Sequence, residues 1–292
     1  MLLLTAAMGF VYKHYFRPGE GLAHDAWRFD VSAGLVVLLY TMLAFHLPLR
    51  SREVQALVTM MAAMILSRYF AHRLGMLIVH AEPNGWLFDP HSRRDVMVFY
   101  WLIGSPIILL TLPMVVLLLW RQSPGRYGLA AGEWRAWLKW LGFSVIAMAP
   151  VLWFGITKLP TMLGSHGGAR LDQFYPLIIG ARQTWVTFAA FQGLIAVLMF
   201  AWEFSLRGFL QFALVPRLGW LAIVVQCMPF VLGHVNKPEA ELYGTLVSGL
   251  FLGYVAYRGR SMVPAFLIHL IVAAMNDLLV ILSTGGFGGS FG

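Results

Sequence analysis

Apolar runs of spanning length recur along the chain, separated by short stretches in which Arg, Pro and Gly collect. A helix needs about 20 mostly apolar residues to cross the hydrocarbon core of a bilayer. The runs that meet or approach this need are Val31 to Leu49, Val54 to Tyr69, Val96 to Trp120, Trp137 to Thr157, Val186 to Val215, Leu218 to Val235, Glu241 to Tyr257 and Met262 to Ser283. The pattern predicts an all-α, polytopic transmembrane bundle of about eight helices. The second run is the least regular, because Arg68, His72 and Arg73 interrupt it and another apolar stretch, Leu74 to Val79, follows.

Pro106, Pro113 and Pro150 fall inside spans, where the missing N–H and the ring bend a helix unless neighbours take up the freed carbonyls. They predict kinks rather than breaks. Segments 121–135 and 158–184 hold Gly, Pro and charge and are expected to be loops, the second lying partly on the membrane surface. The tail from Gly285 to Gly292 is Gly-rich and is expected to be disordered. Met1 to Tyr12 is apolar, but no cationic stretch precedes it and no clear small-residue cleavage site follows. It reads as a retained segment, interfacial or the end of a first span, and not as a signal peptide.

Composition agrees with the pattern: 59% of residues are hydrophobic and 12% charged, far from the balance of a soluble domain. The net charge of +8 does not indicate nucleic acid, because the basic residues stand as singles and pairs between apolar runs, as in Arg50/Arg52, Arg93/Arg94 and Arg258/Arg260. Such residues anchor helix ends among lipid headgroups, which makes the bilayer the partner. If helices alternate, Arg121, Arg126, Arg135, Lys139, Arg217 and Arg258/Arg260 share one side, expected to be cytoplasmic, while Arg93/Arg94, Lys158, Arg170 and Arg182 fall opposite. Cys227 is the single cysteine, so neither an internal disulfide nor a cysteine-based metal cage can form; it reads as a small buried hydrophobe.

An ionisable side chain at mid-membrane costs several kcal/mol, so each one in the last four spans is a candidate for function (about +2.5–3.5 kcal/mol on insertion scales). Glu203 and Arg207 lie four apart, share a helix face, and have the acid N-terminal to the base, which favours pairing. Taken alone, the pair fits a structural lock between helices as well as a chemical role. His234 closes Phe-Val-Leu-Gly-His, with Phe230 one turn before it. His269 lies within Ala-Phe-Leu-Ile-His-Leu-Ile-Val, so its partner must come from another helix. With turns near Pro216 and Arg260, Glu203 and His269 sit roughly 20 Å and 14 Å from the same membrane face, at about 1.5 Å per residue. His234 reaches deeper unless its helix tilts, and tilts of about 20° are ordinary. An acid, a guanidinium and two imidazoles can therefore converge in the bundle interior.

These residues resemble the CPBP family, the relatives of the type II CAAX prenyl endopeptidase, whose members carry E-E-x-x-x-R, then F-x-x-x-H, then a His on a later helix. Here the motifs read Trp202-Glu203-Phe204-Ser205-Leu206-Arg207, Phe230 to His234, and His269, in the family's order over roughly Val186 to Ser283. Trp202 stands where the family has the first Glu, and Ala273 where it commonly has Asn. Trp-Glu-Phe-x-x-Arg-Gly, the run His234, Lys237, Pro238, Glu241, and His269 with Asp277 resemble a bacterial branch sharing these departures. The resemblance divides the chain into membrane helices and loops at 1–185, a catalytic helical core at 186–283 and the tail at 284–292.

The resemblance implies an intramembrane endopeptidase of a bacterial inner membrane acting on a membrane-associated protein or peptide precursor. The family's base is the first Glu of its motif, which is Trp202 here, so Glu203 is expected to take its place as the general base that activates water, while His234 orients the water, His269 donates to the oxyanion, and Arg207 holds Glu203. Phe230, Asp277, Asn276 and Glu241 are supporting residues. Asn276 and Asp277 lie two turns beyond His269, too far to bond it in a straight helix, and are expected to meet Arg207 or Glu241. No cofactor is expected. Zinc held by two His and one carboxylate is the competing chemistry, although no H-E-x-x-H is present. A non-catalytic scaffold or immunity-type factor that binds a peptide or partner helix is the alternative outside the enzymes, and a proton-relay transporter comes third without an inverted repeat to support it.

Overall fold

The computed structural model describes residues 34–48, 51–81, 93–163, 181–234, 239–283 and 285–288. Among the described residues there is no strand, and the chain forms helices α1 (Gly34–Ala44), α2 (Arg52–Ala81), α3 (Arg93–Leu119), α4 (Trp134–Leu163), α5 (Trp185–Leu218), α6 (Leu221–Leu232), α7 (Glu239–Gly259) and α8 (Val263–Ser283). A short 3-10 turn, Pro124–Tyr127, lies in the connection between α3 and α4. The N-terminal segment Met1 to Tyr12, together with Lys237 and Pro238, lies outside the described residues.

Helix boundaries depart from the hydropathy pattern in instructive places. α2 continues unbroken to Ala81, through Arg68, His72 and Arg73. Helical hydrogen bonds belong to the backbone, and Arg is a good helix former, so polarity alone does not end a helix. α3 continues through Pro106 and Pro113. α4 extends past Thr157 to Leu163, which moves the start of the expected loop; residues 164–180 lie outside the described residues. α6 is only 12 residues long and ends at Leu232, before Val235.

The expected disorder of the tail does not hold for Gly285–Gly288. Gly285, Gly286 and Gly288 take positive φ, which glycine permits without a Cβ clash, and turn the chain back onto the start of α5. There Arg182 Nη2 donates to Gly286 O at 3.2 Å, Gly288 N donates to Arg182 O at 3.0 Å, and Phe287 lies 4.0 Å from the Trp185 ring.

Packing places α5 at the centre. α3 and α8 lie against it, α2 packs on α3, α4 on α8, and α6 on α7. Phe204, Leu206, Phe209 and Leu210 of α5 are buried with Phe230 of α6 and Val255 of α7 in one apolar cluster. The outside is apolar too: Leu119, Ile146 and Val186 are 76%, 75% and 78% exposed. A surface of this kind suits lipid and not water. The spans Leu102–Leu119, Trp185–Leu218 and Val263–Ser283 are long and apolar enough to cross a membrane. The chain is an integral membrane protein.

Contacts between connections gather basic helix ends on one side. Arg52 lies over the Trp120 ring at 5.8 Å, and Arg217 pairs with Glu53 at 3.6 Å. Gly128 O accepts from Met262 N at 2.9 Å, and Gly259 O accepts from Glu133 N at 2.9 Å. The starts of α2, α4 and α8 therefore share a face with the ends of α3, α5 and α7; Arg121, Arg126 and Arg260 lie in the connections there, and Arg258 in the last turn of α7.

Candidate active site

The site is built on a local change in α5. Directly after Glu203 the helix adopts π geometry over Phe204–Leu210, all seven residues buried, before resuming as α-helix at Gln211. A π turn inserts an extra residue into the helical ladder and re-aims the side chains on either side of it. Gly208 lets the preceding connection close on this turn, since a Cβ there would lie 2.7 Å from Tyr127 O. On the opposite flank, Ser205 Oγ donates to Leu109 O of α3 at 2.6 Å.

Glu203 and Arg207 are fully buried. Arg207 Nη1 donates to Glu203 Oε1 at 2.8 Å, and His269 Nδ1 of α8 lies 2.8 Å from the same oxygen. An ionised carboxylate can only accept, so Nδ1 of His269 is the donor. Both donors thus converge on Oε1. Among the described residues, Glu203 Oε2 and Arg207 Nε and Nη2 have no hydrogen-bond partner.

Phe230 joins the remaining groups. Arg207 Cζ lies 4.2 Å from the centroid of its ring, a cation–π distance, and the imidazoles of His234 and His269 lie 4.7 Å and 5.4 Å from it. His234 Nδ1 is 2.7 Å from Phe230 O. A carbonyl only accepts, so Nδ1 carries the proton, and Nε2 of neutral His234 is an acceptor. α6 is held close enough for this by glycines of α7: a Cβ on Gly249 would meet Cys227 Sγ at 2.7 Å and Phe230 Cδ1 at 2.8 Å, and one on Gly253 would strike Gln226 Nε2. Trp202 packs at the other end of the cluster, its ring 3.5 Å from the Cβ position of Gly233, beside the His234 turn.

The structure therefore brings Glu203, Arg207, Phe230, His234 and His269 into one cluster. The expected meeting of Arg207 with Asn276 or Asp277 is not made: Arg207 bonds Glu203 and lies on Phe230, and Asp277 Oδ2 accepts from Gln192 Nε2 of α5 at 2.9 Å. α5 and α8 run antiparallel, so each residue C-terminal to His269 on α8 faces a residue N-terminal to Glu203 on α5. Asn276 is half-buried beside that pair. Glu241 lies in the first turn of α7, with its side chain outside the described residues. Gln192, Gln211 and Gln226 are uncharged and do not stand out beside the ionisable groups of the spans, yet a glutamine inside an apolar run carries the same signal, a polar group that needs a partner from another helix. Among the described residues, no three His, Cys, Asp or Glu side chains form a group able to hold a metal.

Residues 182–275 match the family model described as Type II CAAX prenyl endopeptidase Rce1-like, a segment that contains all of α5, α6 and α7 and reaches past His269 in α8. No curated protein and no solved structure matches the chain. The match coincides with the helices that carry the cluster, and it supports a CAAX-type intramembrane protease with a protein substrate.

Proposed function

We propose that this protein is an intramembrane endopeptidase of the bacterial inner membrane that hydrolyses a peptide bond in a membrane-associated protein or peptide precursor with water activated by Glu203. The observation that carries this reading is the asymmetry of the buried carboxylate: Oε1 receives both Arg207 and His269, while Oε2 has no donor among the described residues. A buried carboxylate oxygen without a donor is costly, and a water molecule is the partner that hydrolysis requires there.

In the proposed reaction Oε2 takes a proton from water as the water oxygen attacks the substrate carbonyl carbon. The tetrahedral intermediate then collapses with cleavage of the C–N bond, and the proton held on Glu203 passes to the leaving amine. His234, with Nδ1 donating to Phe230 O, offers Nε2 as an acceptor that orients the water. His269 donates to the oxyanion from Nε2 when both of its ring nitrogens carry protons, Nδ1 remaining on Glu203. Arg207 fixes the carboxylate from its seat on Phe230. The basic face formed by the connections is the cytoplasmic one on this reading, in keeping with the positive-inside rule.

The test is a deletion strain complemented with the wild-type gene or with Glu203→Gln, compared by mapping protein N- and C-termini. A precursor that accumulates in the deletion strain is expected to be processed by the wild type and to stay uncleaved with Glu203→Gln, which keeps an acceptor oxygen but cannot take a proton. Normal processing by Glu203→Gln refutes the general-base assignment. Metal analysis of the purified protein, with chelator sensitivity of the same cleavage, separates this chemistry from a zinc-dependent one.

A further inference from the structure

Beyond the cluster, the interior holds a second row of polar groups. Glu203, Arg207 and Gln211 are spaced four apart on α5, and Gln226 and Phe230 of α6 and His234 in the turn just after it are likewise four apart. Gln211 and Gln226 are fully buried, like Glu203 and Arg207. Gln211 lies one turn beyond Arg207, and Gln226 one turn before Phe230, the ring under the guanidinium. A Cβ added at Gly253 would lie 3.2 Å from Gln211 Oε1 and would strike Gln226 Nε2, so the two amides flank the same glycine of α7.

Backbone carbonyls fix the orientation of both amides. Gln211 Nε2 donates to Gly253 O at 2.9 Å, and Gln226 Nε2 donates to Ile223 O and Gly249 O, each at 3.0 Å. Flipping either amide would set an oxygen against a carbonyl oxygen, so the assignment follows from the network. Each Oε1 is consequently an acceptor, and neither has a donor among the described residues. The same interior contains orphan donors, Arg207 Nε and Nη2, and a third orphan acceptor, Glu203 Oε2. Nε carries one hydrogen and Nη2 two, which matches the orphan acceptors in number. Direct bonds are not made, whereas a water molecule both donates and accepts and joins such groups.

We infer that Gln211 and Gln226 are positioning residues for the reaction proposed above. Through internal water held between their side-chain oxygens and Arg207 Nε and Nη2, they fix the guanidinium and, through it, Glu203. The inference rests on the protease reading for its functional part only; the hydrated polar row is a property of the resting protein. It also places water within the bundle next to a carboxylate whose reaction consumes water.

Two arms test it. In a crystal structure of the full chain that resolves ordered water, density is expected within hydrogen-bond distance of Arg207 Nε or Nη2 and of Gln211 or Gln226 Oε1; a dry site, or direct Arg207–glutamine bonds, overturns the inference. In the second arm, Gln211→Leu, Gln226→Leu and the shorter amides Gln211→Asn and Gln226→Asn are assayed on the precursor that accumulates with Glu203→Gln. The Leu variants are expected to lower kcat by roughly ten- to a hundredfold with KM unchanged, the effect of a small misplacement of the base, and the Asn variants to recover part of the loss. Wild-type kcat in folded Leu variants overturns the positioning role. Processing by Glu203→Gln itself would sink the general-base assignment, and failure of the wild type to restore processing in the deletion strain would sink the protease reading; both leave the water arm standing, so the failures are distinguishable.

Discussion

Removing Arg207 tests the electrostatic centre of the bundle without any knowledge of substrate. Arg207→Met keeps the length and much of the apolar stem of the side chain but leaves the fully buried Glu203 with His269 as its remaining donor. Breaking a buried ion pair by deleting one partner costs about 3–5 kcal/mol, because the other charge stays desolvated. Loss of the cation–π contact over Phe230 at 4.2 Å adds to this. At roughly 2–4 °C per kcal/mol for a chain of this size class, the melting temperature should fall by about 6–20 °C in thermal unfolding of the detergent-solubilised protein. Replacing both partners, Glu203→Leu with Arg207→Met, removes the uncompensated charge and should return most of the lost stability, since apolar substitutes for a buried pair are often neutral or better. The four-member cycle isolates the coupling. An Arg207→Met protein as stable as wild type, or a double variant whose loss equals the sum of the two single losses, would refute the pairing argument.

Gly253→Ala should lower stability by about 1–3 kcal/mol, because its Cβ strikes Gln226 Nε2 and lies 2.8 Å from Ile223 Cγ2, forcing α6 and α7 apart; unfolding in detergent measures it. Gly208→Ala should act similarly through Tyr127 O, and in the same assay should weaken the seating of the α3–α4 connection on the π turn. Gln192→Leu should cost about 0.6–1.7 kcal/mol, the range for hydrogen bonds between membrane helices, and Asp277→Leu more if the acid is ionised; equal stability of wild type and both variants would show that the α5–α8 bond contributes nothing. Tyr127, in the connection outside the spans, has its phenol held above the ordinary value of 10.0, chiefly by burial. A raised folded value means that the full stability contribution is present below the unfolded value and is lost as pH rises past it. The wild type should therefore lose more stability than Tyr127→Phe between neutral pH and about pH 11, as compared by thermal unfolding across that range.

Hydropathy alone determines the fold class, because lipid admits only helices or closed barrels and the chain has apolar runs of helical spanning length. It also reveals Glu203, Arg207, His234 and His269, since such groups are out of place in an apolar span and counting residues from the turns puts the acid and one imidazole at similar depth. What the sequence does not reveal is the hydrogen-bond geometry. The π turn at Phe204–Leu210 leaves no trace in hydrophobic periodicity, yet it sets the relation of Glu203 and Arg207 to α6 and α8. That Arg207 and His269 share Oε1, that Asp277 meets Gln192, and that two glutamines face inward beside Gly253 depend on which helix lies against which. Depth along a helix is a one-dimensional count that sequence supplies, whereas partnership between helices requires rotation and crossing, which only the packed bundle fixes.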